Sequence, residues 1–208
     1  MPPADEEATP LVAITLRPID AARAILEAWD RGAAVLPLDP AAPPADKASV
    51  IDRLRPTQLV DEHGTRDLPD GLPTAAGVAA VVRTTGTTGE PRGVELTFDG
   101  LRSSADGVAS ALHATADDRW LCCLPVHHVA GLAVVARSWH SGTPLVTLDR
   151  FDVHAVAEAI AGGASLVSLV PTTLARLLDQ GVPLGGLRGA LVGAAPLPDA
   201  LRARASAA

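Results

Sequence analysis

Clusters of lysine and arginine are missing from this chain of 208 residues, whose formal net charge is −7. A broad nucleic-acid footprint needs such clusters to neutralise phosphates, so nucleic acid is excluded as a partner and any anion site must be local. Long apolar runs are missing too: a stretch such as Val129 to Ala136 falls far short of the roughly 20 residues that cross a bilayer, which excludes a membrane span. The opening MPPADEEATP is acidic and proline-rich with no apolar segment behind it, and reads as a solvated tail rather than an export signal. Cysteine is scarce. Cys122 and Cys123 are adjacent within a strand-like segment, which suits neither a disulfide framework nor a metal clip; they read as small core residues of a protein of the reducing cytoplasm. No metal centre is expected, because the doublet His127-His128 cannot easily turn both rings onto one ion and no Cys or carboxylate stands at helical spacing from it. His63, His113, His140 and His154 lie in polar or helical contexts and read as surface residues.

What is present is ample apolar content, 48% of the chain, arranged in short β-rich runs that alternate with helical patterns. That alternation predicts an α/β fold with mostly parallel sheets flanked by helices. Helices are expected over Ile19 to Trp29, Ser49 to Arg55, Asp99 (as N-cap) to Leu112, from about Val129, Val153 to Ala161, Pro171 to Leu178 and from Pro198. Strands are expected at Ala33 to Leu38, Gln58 to Val60, Val78 to Val82, Val94 to Thr97, Trp120 to Leu124, Pro144 to Leu148, Leu166 to Val170 and Gly189 to Val192. The polar stretch Glu62 to Gly77 reads as a connecting loop, which suggests a leading portion over 1–77 and a second over 78–208.

Between two of these strands lies TTGTTGEPRGV, Thr84 to Val94. Such a run has little to pack, so its use lies in backbone N–H groups and hydroxyls, which together form a concave anion site. Gly86 and Gly89 allow positive φ or close approach of a phosphate, and the fork of Arg92 suits phosphate oxygens. A Walker A loop is excluded by spacing, since the sixth residue from Gly86 is Pro91, followed by Arg92 and Gly93; a dinucleotide fingerprint is excluded because no G-x-G occurs here.

The same segment resembles the [ST]-[SG]-G-[ST]-T-G-x-P-K-G-V signature of the adenylate-forming superfamily, with Arg92 where Lys is usual; the charge survives, the compact reach of an ammonium does not. Two further elements follow in the order of that superfamily. LPVHHVAGL, Leu124 to Leu132, resembles its P-x-x-H-x-x-G element, and LVGAAPLP, Leu191 to Pro198, resembles its GGAPL turn with Ala194 for the second Gly, a replacement read as a minor loss. SLVPTTLARLL, Ser168 to Leu178, is similar to a segment lining the acyl pocket. The stretch PVHHVAGLAVVARSWHSG resembles the o-succinylbenzoate-CoA ligases of menaquinone biosynthesis, whose pattern reads P-x-F-H-x-S-G followed by an apolar helix and an Arg.

The resemblance implies the large N-terminal domain of an adenylate-forming enzyme, incomplete here, and an AMP-forming acid–thiol ligase with ATP, Mg²⁺ and CoA as cosubstrates of a small carboxylic acid. It implies phosphate binding by Thr84, Thr85, Gly86, Thr87, Thr88, Gly89 and Arg92, with Arg92 and His128 as catalytic residues. Adenine would lie against Gly193, Ala194, Ala195 and Pro196. The acyl substrate would meet His128, Gly131, Arg137, Ser168, Pro171 and Thr172, with Arg137 facing a second carboxylate. The chain stops before the family's Y-G-x-T-E element, ribose-binding Asp and small C-terminal domain with its catalytic Lys, so the expectation is an N-terminal fragment, inactive by itself. A general acyl- or aryl-CoA synthetase, or a non-catalytic nucleotide-binding or interaction module using an open sheet edge, are the alternatives. The pattern is compatible with a homodimer.

Overall fold

Strands buried on both faces lose the alternation of polar and apolar residues, and the central strands here are of that kind. The computed structural model describes residues 8–85 and 91–208. In chain order the first elements are β1 (Leu11–Ile14), α1 (Pro18–Asp30), β2 (Ala34–Pro37), α2 (Pro44–Leu54), β3 (Gln58–Asp61), β4 (Gly64–Asp67), β5 (Val78–Thr85) and β6 (Pro91–Thr97). All eight residues of β1 and β2 are buried. These strands form one sheet in the order β4-β3-β1-β2-β5-β6, parallel from β3 to β5 and antiparallel at both margins. Helix α1 buries Ala21, Ala22, Ile25, Ala28 and Trp29, and the Trp29 indole donates to the Ala79 carbonyl at 2.8 Å, tying the helix to β5.

The chain continues as α3 (Phe98–Leu112), β7 (Trp120–Cys122), α4 (Val129–Ser141), β8 (Leu145–Thr147), α5 (Val153–Ala161), β9 (Leu166–Leu169), α6 (Pro171–Asp179), β10 (Gly189–Val192) and α7 (Asp199–Ser206). The second sheet is wholly parallel, in the order β10-β9-β7-β8. The contacts divide into two compact units, the first running to Ser103 and taking in His127–Val129, the second formed by Ser104–Val126 and Ala130–Ala208. The expectation of mostly parallel sheets with flanking helices therefore holds. No helix among the described residues is long and apolar enough to cross a membrane.

The structure departs from the sequence reading at four places. Leu11–Ile14 is a central strand beside the proline-rich opening, and β4 occupies part of the expected loop, pairing antiparallel with β3. Helix α2 starts at Pro44, earlier than Ser49, because proline suits the first helical turn, whose N–H groups have no intrahelical partner. The cap of α3 is Thr97, whose hydroxyl accepts from the Gly100 N–H at 3.1 Å, while Asp99 lies inside the first turn and pairs with Arg102.

In the second unit the period of two puts Leu121 and Cys123 into the core shared with Val156, Ile160, Val167, Leu174 and Leu177 of the helices and neighbouring strand. Cys122 points the other way, its Sγ 3.7 Å from the Gly131 carbonyl. The two thiols are free and no more than 1% exposed, as expected of core residues. Burial pushes the Cys122 thiol up to about 12, and that of Cys123 to about 11. Neither should react with a thiol reagent such as DTNB at pH near 8 in the folded chain, and both should react at once in denaturant; rapid native labelling would contradict this packing.

At the amino-terminal ends of these strands, Asp118 is 2% exposed and saturated with donors. It accepts from the Thr115 N–H at 2.7 Å, Ser165 Oγ at 2.7 Å, Arg188 Nε at 2.8 Å and Arg188 Nη2 at 2.7 Å. The Arg188 hydrogen bonds hold its carboxyl well below the usual carboxylate range, against the opposing effect of burial. Replacing Asp118 by Ala should cost about 2–3 kcal/mol, less than for a fully sealed pair because Arg188 is half in water. Because the folded pKa is depressed, that contribution is complete above the unfolded value of about 4 and is lost as pH falls further. Urea denaturation of both proteins should give a constant difference above about pH 5 that shrinks in stronger acid.

Candidate functional site

Ligands of open parallel sheets bind beyond the carboxyl ends of the strands, and many of the residues singled out in the sequence lie at such ends, whereas Arg137 lies over Trp120, the first residue of β7, and lines a cavity with Thr115 and Thr143. In the first unit β2 is followed by Leu38-Asp39, and β5 carries Arg83 and Thr84 near its carboxyl end. These, with Asp46 and Lys47 of α2 and with His127 and His128, line a cavity of about 440 Å³ whose apolar floor is Pro37, Leu38, Ala42 and Val50. Thr84 and His128 are thereby brought together. Thr84 is also paired with Arg92 in the β5–β6 ladder, its hydroxyl 3.5 Å from the Arg92 carbonyl, so the exposed Arg92 is carried on the strand beside it. Backbone pairing continues to Thr85 and Pro91. Gly86, Thr87, Thr88 and Gly89 lie outside the described residues.

His127 is half-buried and its ring stands 4.4 Å from that of His128, at an interplanar angle of 59°. Its Nε2 is 4.0 Å from Asp39 Oδ2. Burial, then the adjacent ring, lower its pKa, and Asp39 only partly opposes them. Lys47 donates to the Pro40 carbonyl at 3.0 Å, which keeps its ammonium at the cavity. The sequence reading passed over Asp39, Lys47 and Arg83; the available signal was that LDP and VVR close two apolar strands, where a parallel sheet presents its ligands.

In the second unit the carboxyl ends of β7, β9 and β10 run into Leu124-Pro125, Val170–Thr172 and Gly193–Pro196. Gly131 in the first turn of α4 is forced by close approach: a Cβ there would lie 2.3 Å from the Pro125 carbonyl oxygen and 2.7 Å from that of Leu124. Farther along α4, Arg137 is 8% exposed, lies over the Trp120 ring at 5.3 Å and donates from Nη1 to Ser168 Oγ at 2.9 Å. The structure thus unites two of the expected acyl-site residues. Arg137 Nε is buried without a hydrogen-bond partner, and no acidic side chain pairs with this guanidinium among the described residues. Burial lowers its pKa. Pro171 and the exposed Thr172 open α6, where the Thr173 hydroxyl accepts from the Val170 N–H at 3.0 Å.

Gly193 donates to the Leu169 carbonyl at 3.1 Å, and Ala194, Ala195 and Pro196 are exposed after it. Ala194 has φ +67°, so the replacement of glycine is less neutral than its small side chain suggests. A left-handed residue with a Cβ costs about 1–2 kcal/mol, part of which glycine returns through the unfolded chain. Ala194→Gly should raise stability by about 0.5–1 kcal/mol in chemical denaturation; a loss of stability would show that the turn is not held left-handed.

With this geometry in view, comparison with known proteins is informative. A family described as AMP-binding enzyme matches residues 22–208. The 2-succinylbenzoate–CoA ligase of Enterococcus faecalis is 36% identical over 129 residues, 60% of this chain and 27% of that protein. Among solved structures, the O-succinylbenzoate coenzyme A synthetase of Bacillus subtilis in complex with AMP superposes with a TM-score of 0.80 at 26% identity, over 97% of this chain and 59% of that one. The same enzyme in complex with ATP and magnesium ion gives a TM-score of 0.80 at 25% identity, over 97% and 48% of the two chains. The chain spans less than two thirds of the length of each of these proteins.

Proposed function

Because the chain belongs to the AMP-binding enzyme family, we propose that it is the N-terminal part of an AMP-forming ligase that activates a dicarboxylic aryl acid of the o-succinylbenzoate type and passes it to CoA. A carboxylate acylates poorly because its leaving group would be oxide. Attack of the carboxylate oxygen on the α-phosphorus of ATP gives an acyl adenylate and releases pyrophosphate; the CoA thiol then attacks the acyl carbon, AMP leaves, and a thioester results. The chemistry needs fixed donors and cations aimed at the phosphate oxygens. We assign the β- and γ-phosphates of the magnesium-bound ATP to Thr84–Gly89 and Arg92, the carboxylate and α-phosphate to His128, and adenine to Gly193–Pro196. We place the protein in the reducing cytoplasm, to which the free thiols Cys122 and Cys123 are suited.

The observation that carries the choice of acid is Arg137. A buried guanidinium with one hydroxyl partner and an unpaired Nε is an unfinished ion pair, and such a charge costs several kcal/mol unless a carboxylate completes it. The second carboxylate of the substrate supplies that partner. Gly131, Ser168, Pro171 and Thr172 would complete the acyl pocket.

Trp120 beneath Arg137 offers an intrinsic fluorescence signal for binding. The chain should bind o-succinylbenzoate in preference to benzoate, and Arg137→Met should reduce that preference about 10- to 100-fold, the value of a charged hydrogen bond. The same variant should be no less stable to urea, since it removes a buried charge without orphaning an acid. Equal binding of the two acids, or a preference untouched by the substitution, would overturn the assignment.

A further inference from the structure

We propose that His127 is a positioning residue for His128, and that Asp39 is its anchor. The inference rests on the role given above to His128 and extends it to a neighbour where the ligases this chain resembles carry Phe, an aromatic ring with no proton to exchange.

The geometry forms a chain of fixed groups. Strand β2 is pinned in register by β1 along its whole length and by β5 at Val35. Just past its end Asp39 Oδ1 accepts from the Ala41 N–H at 2.9 Å, which leaves Oδ2 facing His127 Nε2 at 4.0 Å. That separation is too long for a hydrogen bond, so Asp39 acts on the ring only through its charge and position and does not take its proton. The His127 side chain is only 17% exposed, and its ring forms a wall 4.4 Å from the exposed His128 ring. An exposed imidazole against such a wall has fewer rotamers to lose when ligand arrives.

The charges around His127 explain why a histidine is tolerated where Phe would serve. Asp39 beyond β2 and His128 of its own segment stand against it, and Asp46 and Lys47 of α2 and Arg83 of β5 line the same cavity. Burial, then the second ring, favour neutral His127, and Asp39 opposes them only in part.

The test is ¹H–¹⁵N and ¹H–¹³C spectroscopy of the imidazole rings in this chain, titrated from about pH 5 to about pH 8. The His128 ring protons should carry a ring-current displacement from His127 that survives in His127→Phe and disappears in His127→Ala. Asp39→Asn should lower the midpoint of His127 by about 0.5 pH, the effect of one partly exposed charge at this range, and broaden the His128 resonances. Identical His128 spectra in the parent, His127→Ala and Asp39→Asn would overturn the proposal; if the Ala variant does not fold, the near-isosteric Asp39→Asn decides alone. Adding magnesium and ATP to the parent separates this inference from the function on which it rests: ring coupling without any ATP response counts against the nucleotide reading and leaves the His127–His128 relation supported.

Discussion

A carboxylate sealed where three loops meet holds the second unit together. Asp118 precedes β7, Ser165 precedes β9 and Arg188 precedes β10, and the hydrogen bonds among them fix the amino-terminal ends of three neighbouring strands. Ser165 Oγ donates to Asp118 and accepts from the Arg119 N–H, while Arg188 also donates to the His113 carbonyl, so the loops are tied to their neighbours as well as closed by their own turns. Parallel strands need long crossovers and cannot set their register through a tight hairpin. A buried ionic hub performs that task here at one end of the sheet, which frees the loops at the opposite end to carry residues chosen for binding.

The two buried charges of this unit are treated in opposite ways. Asp118 is given donors until its lone pairs are satisfied, as a structural charge must be. Arg137 is given a hydroxyl on one edge and an aromatic face beneath, and Nε is left without a partner. Protein interiors rarely leave such a donor unpaired, because an unsatisfied buried group forfeits its hydration for nothing. The contrast between two buried charges in one small unit is the physical reason to assign Arg137 to a ligand and Asp118 to the fold.

Much of this was legible in the sequence, for reasons that differ from element to element. Helix α1 shows its buried stripe in the spacing of Ile25, Ala28 and Trp29, and the β5–loop–β6 hairpin is marked by apolar strands on either side of a Thr/Gly run. Strand β1 was not legible, because four apolar residues after a proline-rich opening carry no period to separate strand from tail. The polar β4 was hidden by its exposure, since GTRD reads as loop until β3 is placed beside it. Ala194 could be recognised as a departure from a glycine, but only the left-handed backbone turns it into a cost. The cavity at β2 was missed because Asp39, Lys47 and Arg83 are distant in sequence and meet only when the strand order is known.

Helix α4 relates the shape of the acid to the helix itself. The absence of a Cβ at Gly131 lets the helix begin directly against the Pro125 and Leu124 carbonyls, so its first turn abuts the carboxyl end of β7. Arg137 follows six residues later, which at 1.5 Å per residue puts it about 9 Å farther along the axis. In the proposed reading the two carboxylates of the acid would be held apart by a spacer, since the guanidinium does not lie at the first turn of the helix. Under the proposed reading, a monocarboxylate would leave the guanidinium without its acidic partner, whereas a dicarboxylic acid could supply one. Gly131 thus sets how closely α4 meets the strand end, and Arg137 carries the unpaired donor that the proposed second carboxylate would have to reach.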